Sequence, residues 1–324
     1  MWKRIGLRGL AAMLMACVCT SAMAADRYVG VEEYEGVSLW GSVGVVMLEA
    51  NEYVYVAPGS DTRLSHLIWQ SMAPVLSAGL DVKLPDGWTV AAKGQFALGG
   101  DSYMEDYDWI DSWTTGTGDG DWSHRSQHDD TDLDWYFNGS ILFGYDIAVG
   151  DTVTVNLNGG FKYTDVQWAA YGGSYVYSND DDGPRGDVGN FANGEPGITY
   201  RQTFPAVVAG LDIQHSAGPL TLGASAHAGL TFSAVGDDYH WMRDLNFLDY
   251  MASAPVVAVS ASVDYEVADG MHLFVQGTAE QIFTARADTD VYDIVTGDYL
   301  GSSGDQAGGD LFAASLSLGV KGTF

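Results

Sequence analysis

The chain has almost no cysteine. Its two thiols, Cys17 and Cys19, both fall in the first 24 of 324 residues. That segment reads as a secretory signal peptide: Lys3, Arg4 and Arg8 precede the apolar run Leu10 to Val18, and Ala22-Met23-Ala24 follows as a small-residue cleavage site. The mature chain, residues 25–324, then has no thiol, which excludes a disulfide scaffold and a thiolate metal centre. Basic residues are scarce too, 14 Lys and Arg against 43 Asp and Glu, so the formal charge is −29, or −32 once the three bases of the peptide are gone. Such a field repels nucleic acid and anionic surfaces and draws in cations. Nucleic acid is therefore not an expected partner, and cationic peptides or proteins are.

No run of about 18 apolar residues follows residue 24, which excludes a transmembrane helix but not a membrane barrel built from alternating segments of about ten residues. HExxH is absent, and Asp180-Asp181-Asp182 lacks the rest of a calcium loop. No metal is expected.

What the chain does have is period-two alternation. Val153, Val155, Leu157 and Phe161 alternate with Thr154, Asn156 and Asn158; Val257, Val259, Ala261, Val263 and Tyr265 alternate with Ser260, Ser262 and Asp264. Short turns at Pro85-Asp86-Gly87, Val149-Gly150-Asp151, Ala217-Gly218-Pro219 and Asp269-Gly270 join such segments in pairs. Longer acidic loops separate the pairs, one around Asp106, another a Gly, Asp and Asn loop from Tyr171 to Pro196, and a third carrying Asp238 and His240. Ten strands result, with short turns at one end and long loops at the other. The last, Leu311 to Phe324, sets Phe312, Leu316, Leu318, Val320 and Phe324 against Ser315, Ser317, Lys321 and Thr323. An even strand count, the loop asymmetry and the terminal aromatic favour an all-β, ten-stranded antiparallel transmembrane barrel over a secreted β-sandwich. Trp168, Tyr171, Tyr175 and Tyr177 are expected in its interfacial belt or upper wall.

Two acidic pairs carry the candidate chemistry. In extended chain Asp106 and Asp108 share one face, and two carboxylates so close cannot both ionise freely. Asp238 and His240 have the same spacing, and a carboxylate beside an imidazole fixes its tautomer and raises its basicity, as a general base requires. Ser126 and His128 are also two apart, but no GxSxG surrounds Ser126, so a supporting role is expected of them.

Several stretches, in order along the mature chain, match a known family: Glu52-Tyr53-Val54-Tyr55, Ser65-His66-Leu67-Ile68-Trp69, Met104 through Ser112 with its DYDWIDS core, Arg125-Ser126-Gln127-His128, Gly172 through Ser178 reading GGSYVYS, and Asn193-Gly194-Glu195. On these residues the chain resembles the omptins, outer-membrane endoproteases on a ten-stranded barrel. The resemblance implies a bacterial outer-membrane location with the site facing outside. It implies a water held between the two pairs, with His240 as general base, Asp238 orienting it, and Asp106 and Asp108 binding and polarising the water. Glu52 takes the place of the acidic residue that receives a basic side chain before the cut bond, so cleavage at Arg or Lys is implied.

Two departures bear on this. A second pocket aspartate of the family falls at Gly236 here, with Asp237 one place over on the opposite face. Lipopolysaccharide is the outer-membrane lipid partner that the resemblance raises, and no other cofactor is expected. The family's phosphate contacts read Phe161, Tyr163, Asp165 and Thr203, which makes direct phosphate binding harder unless divalent cations bridge. The alternative from another class is a noncatalytic barrel, an adhesin or structural porin whose acidic crown binds basic proteins.

Overall fold

The alternation runs well past the length a bilayer requires. A tilted strand crosses the hydrocarbon in about 9–11 residues, yet β1, Gly36–Tyr55, has 20 and β2, Arg63–Lys83, has 21. The computed structural model describes residues 36–114 and 116–324, so the predicted signal peptide and both cysteines lie outside the described residues. After β2 come β3 (Trp88–Ala97), β4 (Asp101–Asp108), β5 (His124–Val149), β6 (Val153–Tyr171), the hairpin β7 (Ser174–Asn179) and β8 (Gly183–Asn190), β9 (Pro196–Ala217), β10 (Leu220–Thr231), β11 (Ala234–His240), β12 (Leu245–Met251), β13 (Pro255–Ala268), β14 (Met271–Asp293) and β15 (Tyr299–Thr323).

Three pairs of these segments, β3 with β4, β10 with β11, and β12 with β13, each make one interrupted stave. β1 pairs antiparallel with both β2 and β15, and that closes a ring of about ten staves. The interruption before β4 has a steric cause. Gly100 sits at φ +121, and a Cβ there would lie 2.6 Å from the Met72 carbonyl oxygen.

The outward row of β1 is apolar at Val37, Leu39, Val43 and Val45 and turns polar at Glu49 and Asn51, which places the edge of the hydrocarbon band between them. Met47 lies opposite Met72, and Met72 opposite Asp101, so β4 begins at that edge and stands outside the membrane, as does Glu52. On the far wall Leu230 and Phe232 are the last exposed apolar residues before β11. Within the band the lumen is filled. Lys162 pairs with Glu280 at 2.7 Å and donates to Asn138, and the cavity around them holds about 130 Å³, space for a few waters. Trp69, Trp168 and Tyr200, all fully buried, stack across the lumen at centroid distances of 6.0 and 5.9 Å. Trp168 is therefore an interior plug residue, not a belt residue.

The loops at the outer end are shorter than the sequence reading has them, because the staves continue upward. Asp106 lies on β4 and Asp238 on β11, not in loops. Tyr171 to Pro196 contains the β7–β8 hairpin, whose β7 pairs with β5. Strand pairing satisfies the backbone of these segments and fixes their side chains to a rigid wall.

Candidate active site

Above the aromatic layer the inward rows of opposing staves converge. Asp106 and Asp108 project from β4, and Asp238 and His240 from β11 across the barrel. Nε2 of His240 lies 2.6 Å from Oδ2 of Asp238, both side chains being almost wholly buried. Phe247 sets its ring edge against the imidazole with centroids 5.3 Å apart, which fixes the ring plane. Ser65 on β2 donates to Asp106 Oδ1 at 3.3 Å.

The electrostatics follow from this packing. Burial, reinforced by the neighbouring charge of Asp108, pushes the Asp106 carboxyl up to about 7. Burial also raises Asp108, against the opposing pull of Ser65, Arg243 and His240. The couple therefore retains a proton near neutral pH. Burial acts downward on His240, but the charge and hydrogen bond of Asp238 outweigh it, and the imidazole titrates above its ordinary value. His240 feels Asp106 and Asp106 feels His240, so the two pairs face one cleft.

Glu52 points into the same cleft from β1. It is 3% exposed, and its Oε2 has no hydrogen-bond donor. Its carboxyl lies within hydrogen-bonding reach of that of Asp238, whose Oδ1 also lacks a donor. Burial first, and the neighbouring charges of Asp238 and Asp249 next, raise the Glu52 carboxyl well above the ordinary range. All five residues singled out in the sequence thus come together.

The sequence profile of the omptin family matches residues 33–324. The chain belongs to the omptin family. It is similar to Protease 7 of Escherichia coli O157:H7, at 26% identity over 323 residues, 97% of this chain and 99% of that one. It is also similar to the outer membrane protease IcsP of Shigella flexneri, at 26% over 292 residues, 87% and 89% of the two chains. The crystal structure of the outer membrane protease OmpT from Escherichia coli superposes with a TM-score of 0.80, covering 89% of this chain and 97% of that one. At 23% identity, that likeness establishes the fold.

Around the two pairs, the neighbouring residues take supporting places. Asp237 faces away from the cleft, where Asn246 donates to it at 2.7 Å. Ser126 lies opposite Asp106 in the β4–β5 register and bonds His128 Nε2 at 2.9 Å, while His128 stacks on Phe191. Burial lowers His128, and the pair supports the wall. Tyr177 on β7 leans over the aspartate couple, whose charges, after burial, hold its phenol protonated.

Two residues escaped the sequence reading, Arg243 and Asp249, and Ser65 stood there only within a matching stretch, without a role. Arg243 sits on the 3-10 turn Trp241–Arg243 and acts on Asp106, Asp108 and His240 alike. Asp249 is buried on β12. Finding it requires the β11–β12 register, which the turn at Asp244, with φ +54, sets. No period in the sequence reveals that.

Among the positions tied to phosphate contact, Asp165 accepts from two of the Arg201 guanidinium nitrogens, Nε at 2.9 Å and Nη2 at 2.6 Å, and Trp135 donates to the same carboxylate.

Proposed function

We propose that Asp238 and His240 activate a water held against the Asp106–Asp108 couple, and that this water attacks a peptide carbonyl at or beside a basic residue. The chain is an outer-membrane endopeptidase, with its cleft open to the outside. Membership in the omptin family sets aside the adhesin or porin alternative.

The observation that carries the mechanism is the buried Asp238–His240 hydrogen bond facing a second carboxylate pair across a rigid cleft. With Nε2 donating to Asp238, Nδ1 is the nitrogen left to accept a proton from water. Asp238 holds that tautomer and stabilises the imidazolium that forms. The aspartate couple, sharing a proton, accepts one hydrogen bond from the water and can supply a proton as the carbonyl oxygen gains charge. Nothing in this scheme calls for a covalent intermediate.

Glu52 supports a preference for cationic side chains, since a guanidinium supplies both the charge and the donor its Oε2 lacks. The bidentate Asp165–Arg201 pair supports a further element of the reading: the guanidinium is already neutralised, and catalysis proceeds without a lipopolysaccharide phosphate at that spot.

The test is digestion of a mixed peptide library by the refolded protein, with the products read by mass spectrometry. Cuts confined to bonds next to Arg and Lys are expected. Cuts scattered over apolar residues would remove the role assigned to Glu52.

A further inference from the structure

Two glycines bring the backbones of β11 and β15 close against one cluster of side chains at one side of the cleft. A Cβ on Gly236 would lie 3.0 Å from Met251 Cε and 3.4 Å from both Asp249 Cβ and Tyr200 Oη. One on Gly309 would lie 2.8 Å from Gln202 Nε2, 2.9 Å from Met251 Cε and 3.1 Å from Tyr200 Oη. Met251 and Tyr200 thus pack against both glycines, β11 on one side and β15 on the other. Glu52 stands directly beside Gly309 in the β1–β15 register, and Asp249 directly beside Gly236 in the β11–β12 register. The cluster therefore has a carboxylate at each margin, brought from walls that are far apart in sequence.

Neither carboxylate has a cationic partner within the described protein. Among the described residues, no lysine or arginine forms an ion pair with Glu52 or Asp249, and Glu52 Oε2 is buried without any donor. Asp249 is 3% exposed and accepts from Thr289 Oγ1 at 2.5 Å through Oδ1 alone. Burial pushes its carboxyl up to about 7, and Asp238 and Asp237 add to the shift. Two buried acids with unfilled acceptor capacity, on either side of the Met251 side chain, suit a group with one positive charge and several N–H donors. A guanidinium has five donors in a planar fork and an ammonium three, and either can reach two carboxylates at once.

We propose that Asp249 is a specificity-determining residue of this protease: its carboxylate and that of Glu52 together hold the cationic side chain of the substrate, beside the Met251 and Tyr200 side chains against which Gly236 and Gly309 pack. The proposal rests on the reading above in taking the cleft to receive a basic side chain. It adds a residue and a reason for the glycine at 236. A side chain at 236 would press on Met251 Cε, and with glycine there the second negative charge comes from the facing strand.

The experiment uses quenched peptides identical except for Arg, Lys or norleucine before the bond cut, with parent, Asp249→Asn, Asp249→Glu and His240→Ala proteins. In Asp249→Asn the ratio of kcat/KM for Arg over norleucine is expected to fall about 10- to 100-fold, mostly through KM, as for loss of a charge-assisted contact. Asp249→Glu restores part of it. The ratio is internal to each preparation, so partial misfolding does not mimic the effect.

Affinity for arginine amide, measured by calorimetry, falls in parallel in Asp249→Asn and is retained in His240→Ala. An Asp249→Asn protein with the parent's Arg-to-norleucine ratio and arginine-amide affinity overturns the proposal. Failure of the catalytic reading looks different: cleavage that persists in His240→Ala, or is missing in the parent. In either case the arginine-amide comparison still decides the role of Asp249.

Discussion

His240 donates through Nε2 to Asp238 Oδ2 at 2.6 Å, which leaves Nδ1 as the nitrogen able to take a proton. Every part of the proposed chemistry depends on that polarity. Replacing the imidazole removes the base and leaves the walls intact, because His240 ends its strand and packs against Phe247 alone among the rings. His240→Ala is expected to lower kcat/KM by about 10²- to 10⁴-fold, the range for loss of a positioned general base. The barrel should keep its compact electrophoretic mobility without heating.

The pH profile separates the charges around the imidazole. His240 must be neutral to act, and its folded pKa is raised, so kcat/KM falls on the acid side at a pH above the ordinary histidine value. Asp238 raises that pKa and Arg243 lowers it. Asp238→Asn is thus expected to shift the acid limb to lower pH, on a reduced rate, and Arg243→Gln to shift it higher. Limbs that move together, or not at all, contradict the assignment.

Stability should depend on pH through the aspartate couple. Asp106 has a folded pKa of about 7, raised above its unfolded value by burial first and by Asp108 second. A carboxyl raised in this way contributes stability fully present below about pH 4 and lost as pH rises through about 7. Asp106→Asn is therefore expected to stabilise the barrel at pH 8, by on the order of 1–3 kcal/mol, and to change little at pH 3.5. Urea unfolding of the refolded protein in detergent at the two pH values reads this directly. Equal effects at both would show that the carboxyl is not held protonated by the fold.

Lipid dependence follows from the Asp165–Arg201 pair. With the guanidinium already bound at 2.6 Å, the protein refolded in lipopolysaccharide-free detergent is expected to show its full rate. An increase of more than about tenfold on adding lipopolysaccharide, well beyond what a surface-exposed ion pair accounts for, would count against this part of the account.

The barrel was legible in the sequence because its two faces see different solvents. Val257 against Ser260, or Leu316 against Ser315, declares lipid on one side and a polar interior on the other, and both placements hold. Above the membrane that contrast fades. The outward row at Glu49, Asn51 and Tyr53 is polar while the inward row at Ala50 and Glu52 mixes apolar and acidic residues, so alternation no longer marks a strand. That is why β4 and β11 read as acidic loops.

Asp106 and Asp108 were singled out by two-residue spacing within a matching stretch, and Asp238 and His240 by the same spacing and the family resemblance. Asp249 could not be, because its place beside Gly236 is a matter of register between strands. Arg243 acts only through space, from a turn.

The central claim, that the Asp238–His240 pair drives peptide hydrolysis, is tested most directly with a quenched fluorescent peptide containing Arg-Arg, given to refolded parent and to His240→Ala at equal folded concentration. The account predicts rapid cleavage by the parent and a loss of at least about 10²-fold in the variant. Cleavage by His240→Ala at the parent's rate would contradict it.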